Sequence, residues 1–185
     1  MGWRPVLYVV ASGAAPAREL PALVAALTAG WDTCVITTPE GSRFFDIARV
    51  TELTGHPVRT SFKDPEAPDV LPPASAFAAA PATFNTINKW AAGISDTLAL
   101  GLLNEAVGLG LPIVTVPWPN VALARHPAFG RSIATLRGCG ITVIFDPAHL
   151  PDDESPAQAE FPWGKLQAEL ARMRIALAGG SQPPA

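Results

Sequence analysis

Small and hydroxyl-bearing residues follow two apolar segments of the chain. Ser12 and Gly13 come directly after PVLYVVA, and Thr38, Gly41 and Ser42 end or follow DTCVITT. Such residues, placed between a buried strand and a helix start, can hold a phosphate on free backbone N–H groups. Two such loops side by side could bind one phosphate, although either loop alone could be a simple helix N-cap. Neither loop carries the G-x-G-x-x-G pattern of a dinucleotide site or the pattern of a P-loop.

A third loop, the hexapeptide PATFNT, follows the short apolar segment AFAAA. Ala82 and Phe84 can offer a flat apolar wall to a planar ring. The amide of Asn85 and the hydroxyls of Thr83 and Thr86 can supply donors and acceptors to the polar edge of such a ring. Asn85 could also cap the helix that follows, and the two roles are compatible.

These loops are predicted to lie where strands end. Apolar segments alternate with segments of helical spacing, which predicts right-handed βαβ units and a parallel sheet. We therefore predict an α/β fold, a three-layer Rossmann-like (flavodoxin-like) parallel sheet with helices on both faces. Ligands of such sheets bind outside the carboxyl ends of the strands. The predicted strands are 5–11, 32–38, 76–80, 111–119 and 140–146, and the predicted helices are 16–30, 39–55, 86–107, 127–137 and 159–178.

Two segments carry more detailed predictions. Thr38 can cap the second helix, with Pro39 at its first position. The buried stripe of this helix is predicted to consist of Phe44, Ile47, Val50 and Leu53. Residues 56–73 contain five prolines, which forbid a long helix and predict a loop or a short edge strand.

Length and composition limit the class of protein. The 185 residues fit one domain, predicted over 1–178 with a disordered tail over 179–185. Charged residues make up only 16%, against a usual share of about 25%. This low share predicts a surface partly covered by other copies of the chain, with a compact Ala-rich monomer as the alternative.

Several classes of partner are disfavoured. The net charge is −3 and the basic residues do not cluster, which argues against nucleic acid. No apolar run approaches the roughly 20 residues of a membrane helix, and the N-terminus is interpreted as a first strand rather than a signal peptide. Cys34 and Cys139 form neither a disulfide framework nor a metal-ligand cluster, and each is expected to be buried. We expect no metal site and a cytoplasmic location.

The third loop carries a family resemblance. The stretch PATFNTINKWAAGISDTLAL resembles the P-A-S-A-N-T motif and following helix of the homo-oligomeric flavin-containing cysteine decarboxylases. That family includes phosphopantothenoylcysteine decarboxylases and lantibiotic peptide decarboxylases. In the same order, ASGAAPA, TTPEGSRFF, ELTGHPVRTSFKDP and VPWPNVALARHPAF resemble the other conserved segments of the family. The resemblance covers most of the chain.

The resemblance implies a bound FMN and a set of residues that contact it. Ser12, Thr38 and Ser42 would contact the phosphate and ribityl chain, beside Gly13 and Phe44 of the same two loops. Asn120 would handle the carboxylate of the substrate. The residues that would line the isoalloxazine are Ala82, Thr83, Asn85 and Thr86.

The sequence also departs from the family pattern. The family's catalytic His lies fourteen residues before the Pro of the motif, and Ala67 occupies that position here. Asp69 could partly substitute for it, while His56 is expected to be structural and His126 to lie at the surface. In the P-x-M-N-x-x-M-W segment both Met positions and the Trp are replaced, by Pro119, Leu123 and Ala124. The family's Ala-Cys-Gly segment has no counterpart, so an enethiol product and an external electron acceptor are implied.

Three hypotheses follow from the resemblance. The first is an FMN-dependent oxidative decarboxylase that acts on a cysteine-containing small molecule or peptide C-terminus. The flavin takes a hydride from Cβ, and the resulting thioaldehyde loses CO₂. The second is a non-catalytic FMN binder, and the third, ranked last, is a flavin prenyltransferase. The family also implies a homotrimer or homododecamer with FMN at a subunit boundary, and a substrate clamp in residues 147–163.

Overall fold

The computed structural model describes residues 4–151 and 159–179, and a five-stranded parallel sheet forms its centre. The strand order is β2-β1-β3-β4-β5, and every neighbouring pair is parallel. The strands are β1 (Val6–Ala11), β2 (Asp32–Thr37), β3 (Ala76–Ala82), β4 (Ile113–Pro117) and β5 (Thr142–Val143).

Seven α-helices in the described residues complete the three layers. They are α1 (Leu20–Leu27), α2 (Ile47–Thr54), α3 (Phe84–Ala91), α4 (Leu98–Gly108), α5 (Val121–Ala124), α6 (Pro127–Gly138) and α7 (Trp163–Gly179). Buried side chains of α1, α2 and α7 pack on one face of the sheet, and those of α3, α4 and α6 pack on the other. The predicted α/β fold class is therefore confirmed.

The position of β1 inside the sheet explains why its sequence is a continuous apolar run. Leu7 and Val9 point into the core beneath α1 and α7, whereas Tyr8 and Val10 point into the core beneath α4. Successive side chains of a strand face opposite sides, so a strand covered on both faces needs apolar residues throughout. The polar residues that follow β1 therefore mark the point where the chain leaves the core.

Some predicted helix boundaries are wrong. The predicted helix 16–30 divides into a 3₁₀ turn, Ala15–Glu19, and α1. The predicted helix 86–107 is two helices, because the chain reverses after α3 through Gly93, whose φ of +71° is left-handed. The 3₁₀ turn Gly41–Arg43 precedes α2, and Asp46 rather than Thr38 caps α2 by accepting a hydrogen bond from the Arg49 backbone N–H at 3.2 Å.

The buried stripe of the second helix is narrower than predicted. Val50 is fully buried, and Leu53 packs partly against the core. Ile47 is 38% exposed, and Phe45 rather than Phe44 packs against the core. The late start of α2 rotates these residues away from the positions that a helix beginning at Pro39 would give them.

Two strands differ from prediction in length. β3 continues to Ala82, beyond the predicted end at residue 80, and β5 is only two residues long. Residues 56–73 form a loop, with one bridge between Arg59 and Ile36 at the outer edge of β2, as predicted. His56 is structural, because its Nε2 lies 2.7 Å from Oδ1 of Asp32.

The remaining expectations concern cysteines and the chain ends. Cys34 is buried as predicted, but Cys139 is exposed at the end of α6, so that prediction is wrong. Gly179 belongs to α7, and the rest of the predicted tail, 180–185, lies outside the described residues, as do 1–3 and the part of the predicted clamp over 152–158. Of the helices in the described ranges, none has the length and hydropathy to cross a membrane.

Candidate functional site

Three hydroxyl groups connect the first and third loops at the carboxyl edge of the sheet. Ser12 Oγ lies 2.9 Å from Thr86 Oγ1, which lies 3.0 Å from Thr83 Oγ1. The backbone N–H of Ser12 also donates to the carbonyl of Pro81 at 2.9 Å. Ser12 is 1% exposed and Thr86 is 4% exposed, so their hydroxyl groups lie buried between the first and third loops. The two loops predicted to share a site therefore do lie together.

The second loop is fastened to the end of β1. The backbone N–H of Thr38 donates to the carbonyl of Ala11 at 3.0 Å, and Thr38 Oγ1 accepts from the Gly41 N–H at 3.1 Å. A Cβ at Gly41 would lie 2.6 Å from the Ala11 carbonyl oxygen, too close for any side chain. A Cβ at Gly13 would lie 3.0 Å from Cβ of Glu40. The glycines thus allow the first two loops to approach closely.

A cation that sequence reasoning did not assign lies beside the outer part of the second loop. The guanidinium of Arg18, in the 3₁₀ turn after β1, lies 5.9 Å from the ring centroid of Phe44. Ser42 is half-buried, and its hydroxyl donates to the Pro39 carbonyl at 2.7 Å. The pairing of Arg18 with Phe44 brings positive charge to the loops predicted to hold a phosphate.

The third loop is organised by Thr83. Its Oγ1 accepts a hydrogen bond from the Thr86 backbone N–H at 3.3 Å, so Thr83 is the N-cap of α3. The suggestion that Asn85 caps this helix is therefore wrong, and Asn85 lies exposed on the first turn. Ala82 is fully buried within β3. The partly exposed ring of Phe84 stacks on Phe129 with centroids 6.0 Å apart.

Asn120 begins the short helix after β4. Its Oδ1 accepts from the Leu123 N–H at 2.8 Å, which fixes the orientation of an exposed amide. His126 is exposed as expected, and its Nδ1 accepts from the Ala128 N–H at 3.1 Å as the cap of α6.

The position predicted to lack a catalytic His lies in an exposed loop. Ala67 is half-buried, and its carbonyl accepts a hydrogen bond from Lys63 at 2.6 Å. Lys63 also pairs with Asp69 at 2.9 Å. The carboxylate of Asp69, proposed as a partial substitute for the His, is thus held by a neighbouring cation while its side chain remains 83% exposed.

Comparison with known proteins identifies the family. The model of the Flavoprotein family matches residues 4–174. The chain belongs to the Flavoprotein family. The family resemblance predicted from the sequence motifs is confirmed. In this flavoprotein, the matched region includes all three loops.

Curated relatives of this flavoprotein share parts of its sequence. It is 34% identical over 98 residues to a cysteine/cysteine sulfinic acid decarboxylase from an unknown prokaryotic organism, covering 50% of this chain and 26% of the relative. It is 31% identical over 147 residues to the coenzyme A biosynthesis bifunctional protein CoaBC of Bacillus subtilis (strain 168), covering 76% of this chain and 36% of the relative. The chain therefore spans only about a quarter to a third of the length of these relatives.

Solved structures share the fold of this flavoprotein over nearly its full length. The FMN-dependent cysteine decarboxylase TvaF from thioviridamide biosynthesis gives a TM-score of 0.76 at 22% identity, covering 94% of this chain and 99% of that chain. The FMN binding protein AtHal3 gives 0.70 at 19% identity, covering 98% and 100%. A mutant PPC decarboxylase complexed with pantothenoylaminoethenethiol gives 0.71 at 19% identity, covering 92% and 98%.

A cavity lies farther along the same sheet edge, and described residues of the predicted clamp, 147–163, form part of its lining. Its volume is about 380 Å³, and it lies at the carboxyl ends of β4 and β5. Aromatic residues dominate its lining, together with one His and three charged side chains. They are Trp118, Phe145, Phe161, Trp163, His149, Asp146, Glu160 and Lys165. The sequence DPAH places Asp146 and His149 three residues apart, which was a signal that the two side chains could pair. The aromatic residues come from separate segments of the chain, so their proximity could not be predicted.

Proposed function

We propose that this flavoprotein binds FMN at the carboxyl ends of β1, β2 and β3 and catalyses oxidative decarboxylation of a cysteine-containing small molecule or peptide C-terminus. The observation that carries the proposal is the hydroxyl chain Ser12–Thr86–Thr83, which joins two loops of the family pattern at one point. Family membership and the names of the relatives, which include FMN-dependent cysteine decarboxylases, support it.

The residues present fit a phosphate at one end of the site. Gly13 and Gly41 lie so close to neighbouring atoms that the backbones of the first two loops pack tightly together. Thr38 and Ser42 are partly exposed and add hydroxyls, and Arg18 adds positive charge. A phosphate bound beside these loops would be favoured by the hydroxyl donors and by the nearby guanidinium.

The third loop fits a planar ring. Thr83, Phe84 and Asn85 expose a hydroxyl, an aromatic ring and an amide. Ala82 and Thr86 are buried behind them. When bound, FMN would supply the oxidising chemistry by accepting a hydride from the substrate. The chain's own residues would orient the substrate, with the fixed amide of Asn120 donating to its carboxylate.

We propose that the working form is a cytoplasmic homotrimer or homododecamer, with the ring of FMN at a subunit boundary. Large apolar side chains remain exposed in the single chain, including Phe62 at 60%, Val70 at 50% and Leu109 at 67%. Contact with further copies would remove this apolar surface from water.

A non-catalytic FMN binder is the second candidate. The observation that favours it is Ala67, which offers no acid or base at the position where the resembled enzymes carry His.

Incubation of FMN-loaded protein with cysteine, phosphopantothenoylcysteine and peptides ending in Cys tests the proposal. We expect one substrate class to lose CO₂ and two hydrogens, measured by mass spectrometry, with bleaching of the flavin absorbance under anaerobic conditions. Protein that holds FMN but leaves all these substrates unchanged would favour the non-catalytic binder. Protein that fails to hold FMN would contradict both.

A further inference from the structure

The cavity at β4 and β5 contains an oriented imidazole. Nδ1 of His149 lies 3.0 Å from Oδ2 of Asp146. A carboxylate oxygen can only accept, so Nδ1 carries the hydrogen and the lone pair of Nε2 is available as a proton acceptor. The carboxylate is itself held, because the Ala148 N–H donates to its other oxygen at 3.0 Å. This backbone hydrogen bond, followed by the bond from His149, holds the pKa of Asp146 below its ordinary value.

Of the described residues, Asp146, Glu160 and Lys165 are the charged side chains that line the cavity together with His149.

The rest of the cavity suits an apolar group. Phe161 packs between two indoles, with centroid distances of 5.0 Å to Trp118 and 4.2 Å to Trp163. Aliphatic walls come from Val116, Ile144 and Leu150. The volume falls in the range of small-molecule sites, which runs from about 300 to 1,000 Å³.

The cavity lies next to the proposed FMN site along the sheet. Trp118 lines the cavity, and its backbone N–H donates to the carbonyl of Ala82 at 2.8 Å, beside the third loop. Along the strand order, the carboxyl ends of β2, β1 and β3 carry the proposed FMN loops, and those of β4 and β5 carry the cavity. Cofactor and substrate groups would thus lie side by side on one sheet edge.

We propose that this cavity binds an apolar group adjacent to the cysteine of the substrate, and that Nε2 of His149 accepts the thiol proton. In this step the S–H bond breaks and an Nε2–H bond forms, and no electrons leave the substrate. His149 would thereby provide the acid/base group that position 67 lacks, with Asp146 as its positioning residue. The inference rests on the proposed function, because it takes the substrate to be a cysteine compound.

Binding of unreactive peptides tests the cavity without turnover. In the FMN-loaded full chain, we expect Ala-Phe-Ser to bind about tenfold tighter than Ala-Gly-Ser by calorimetry, because its ring enters the cavity. Gly164 lies in the cavity wall, and a Cβ there meets no atom within 4 Å. We therefore use Gly164→Leu to occupy part of the cavity. This variant should abolish the preference.

Gly130→Leu is the matched control, because this helical glycine also has open space around its Cβ but lies outside the cavity. Equal affinity of the wild type for both peptides, or a full preference in Gly164→Leu, would overturn the cavity as a substrate pocket. Flavin content is measured in the same samples. Wild-type protein without FMN would instead overturn the proposed function, and this inference with it.

The role of the imidazole is tested by His149→Gln and Asp146→Asn. His149→Gln should lower kcat on Ala-Phe-Cys by about 100-fold or more while leaving the affinity for Ala-Phe-Ser nearly unchanged. Asp146→Asn should also lower kcat on Ala-Phe-Cys, by a smaller factor than His149→Gln, because the imidazole loses the hydrogen bond that orients it. Nitrogen NMR of labelled His should show loss of the single Nδ1–H tautomer in the same variant.

His56→Gln is the control, since His56 pairs with Asp32 away from the cavity. A full rate and an unchanged pH profile in His149→Gln would overturn the role of His149.

Discussion

At the scale of single residues, the hydroxyl chain Ser12–Thr86–Thr83 is the part of the proposed site whose residues the sequence identified and whose contacts the structure adds. The sequence identified all three residues as site candidates, because small and hydroxyl-bearing side chains stand where strands end. It could not show that they bond to one another. That pairing depends on β1 and β3 being neighbours in the sheet, which local sequence does not specify.

Thr86→Val should destabilise the protein. The substitution keeps the shape but removes the hydrogen-bond partner of Ser12 Oγ, which lies in a residue only 1% exposed. An unpaired buried hydroxyl costs about 1–3 kcal/mol, measurable in the free energy of unfolding from urea titration. The double variant Ser12→Ala/Thr86→Val should recover part of this loss, and additive losses would contradict a direct bond.

The two cysteines should react at very different rates. Burial raises the pKa of the Cys34 thiol to about 12, so it stays protonated and shielded, whereas Cys139 is exposed. Iodoacetamide at neutral pH should modify Cys139 in the native protein and Cys34 only after unfolding, as read by mass spectrometry. Cys139→Ser should show no rapid labelling, and fast native labelling of that variant would refute the buried position.

At the scale of elements, sequence periodicity located the strands and helices better than it located their ends. The apolar spacing of α3 and α4 reads as one helix, because both helices bury residues of the same core. The turn between them is set by the left-handed Gly93 and by Thr97, which caps α4. Asp46 replaced Thr38 as the cap of α2 for a similar reason, since a 3₁₀ turn intervenes.

Gly93→Ala tests the turn between α3 and α4. An alanine at a φ of +71° should cost about 1–2 kcal/mol of unfolding free energy, even though a Cβ there meets no atom within 4 Å. Gly130→Ala is the matched control, because it lies in a helix with equally open space and should instead stabilise by about 0.5–1 kcal/mol. Equal effects of the two substitutions would show that the backbone at Gly93 is not constrained as described.

At the scale of the whole molecule, the order of elements was enough to predict a parallel three-layer fold, and it also predicts the edge at which ligands are expected. The aromatic cavity on that edge was not predictable from the order of elements, although the family resemblance implied a clamp over 147–163. Its lining combines the end of β4, the end of β5 and the start of α7, so it exists only after these three segments have packed together. The spacing of apolar residues within one helix or strand therefore cannot predict such a site.

Titration of purified apo protein with FMN, followed by calorimetry and flavin absorbance, tests whether these loops hold the flavin. We expect saturable binding of equimolar FMN to the wild type. We also expect much weaker binding to Gly41→Ala, because the new Cβ would collide with the Ala11 carbonyl 2.6 Å away, and unchanged binding to Gly130→Ala. Absence of FMN binding by folded wild-type protein, or full binding by Gly41→Ala, would contradict a flavin site at these loops.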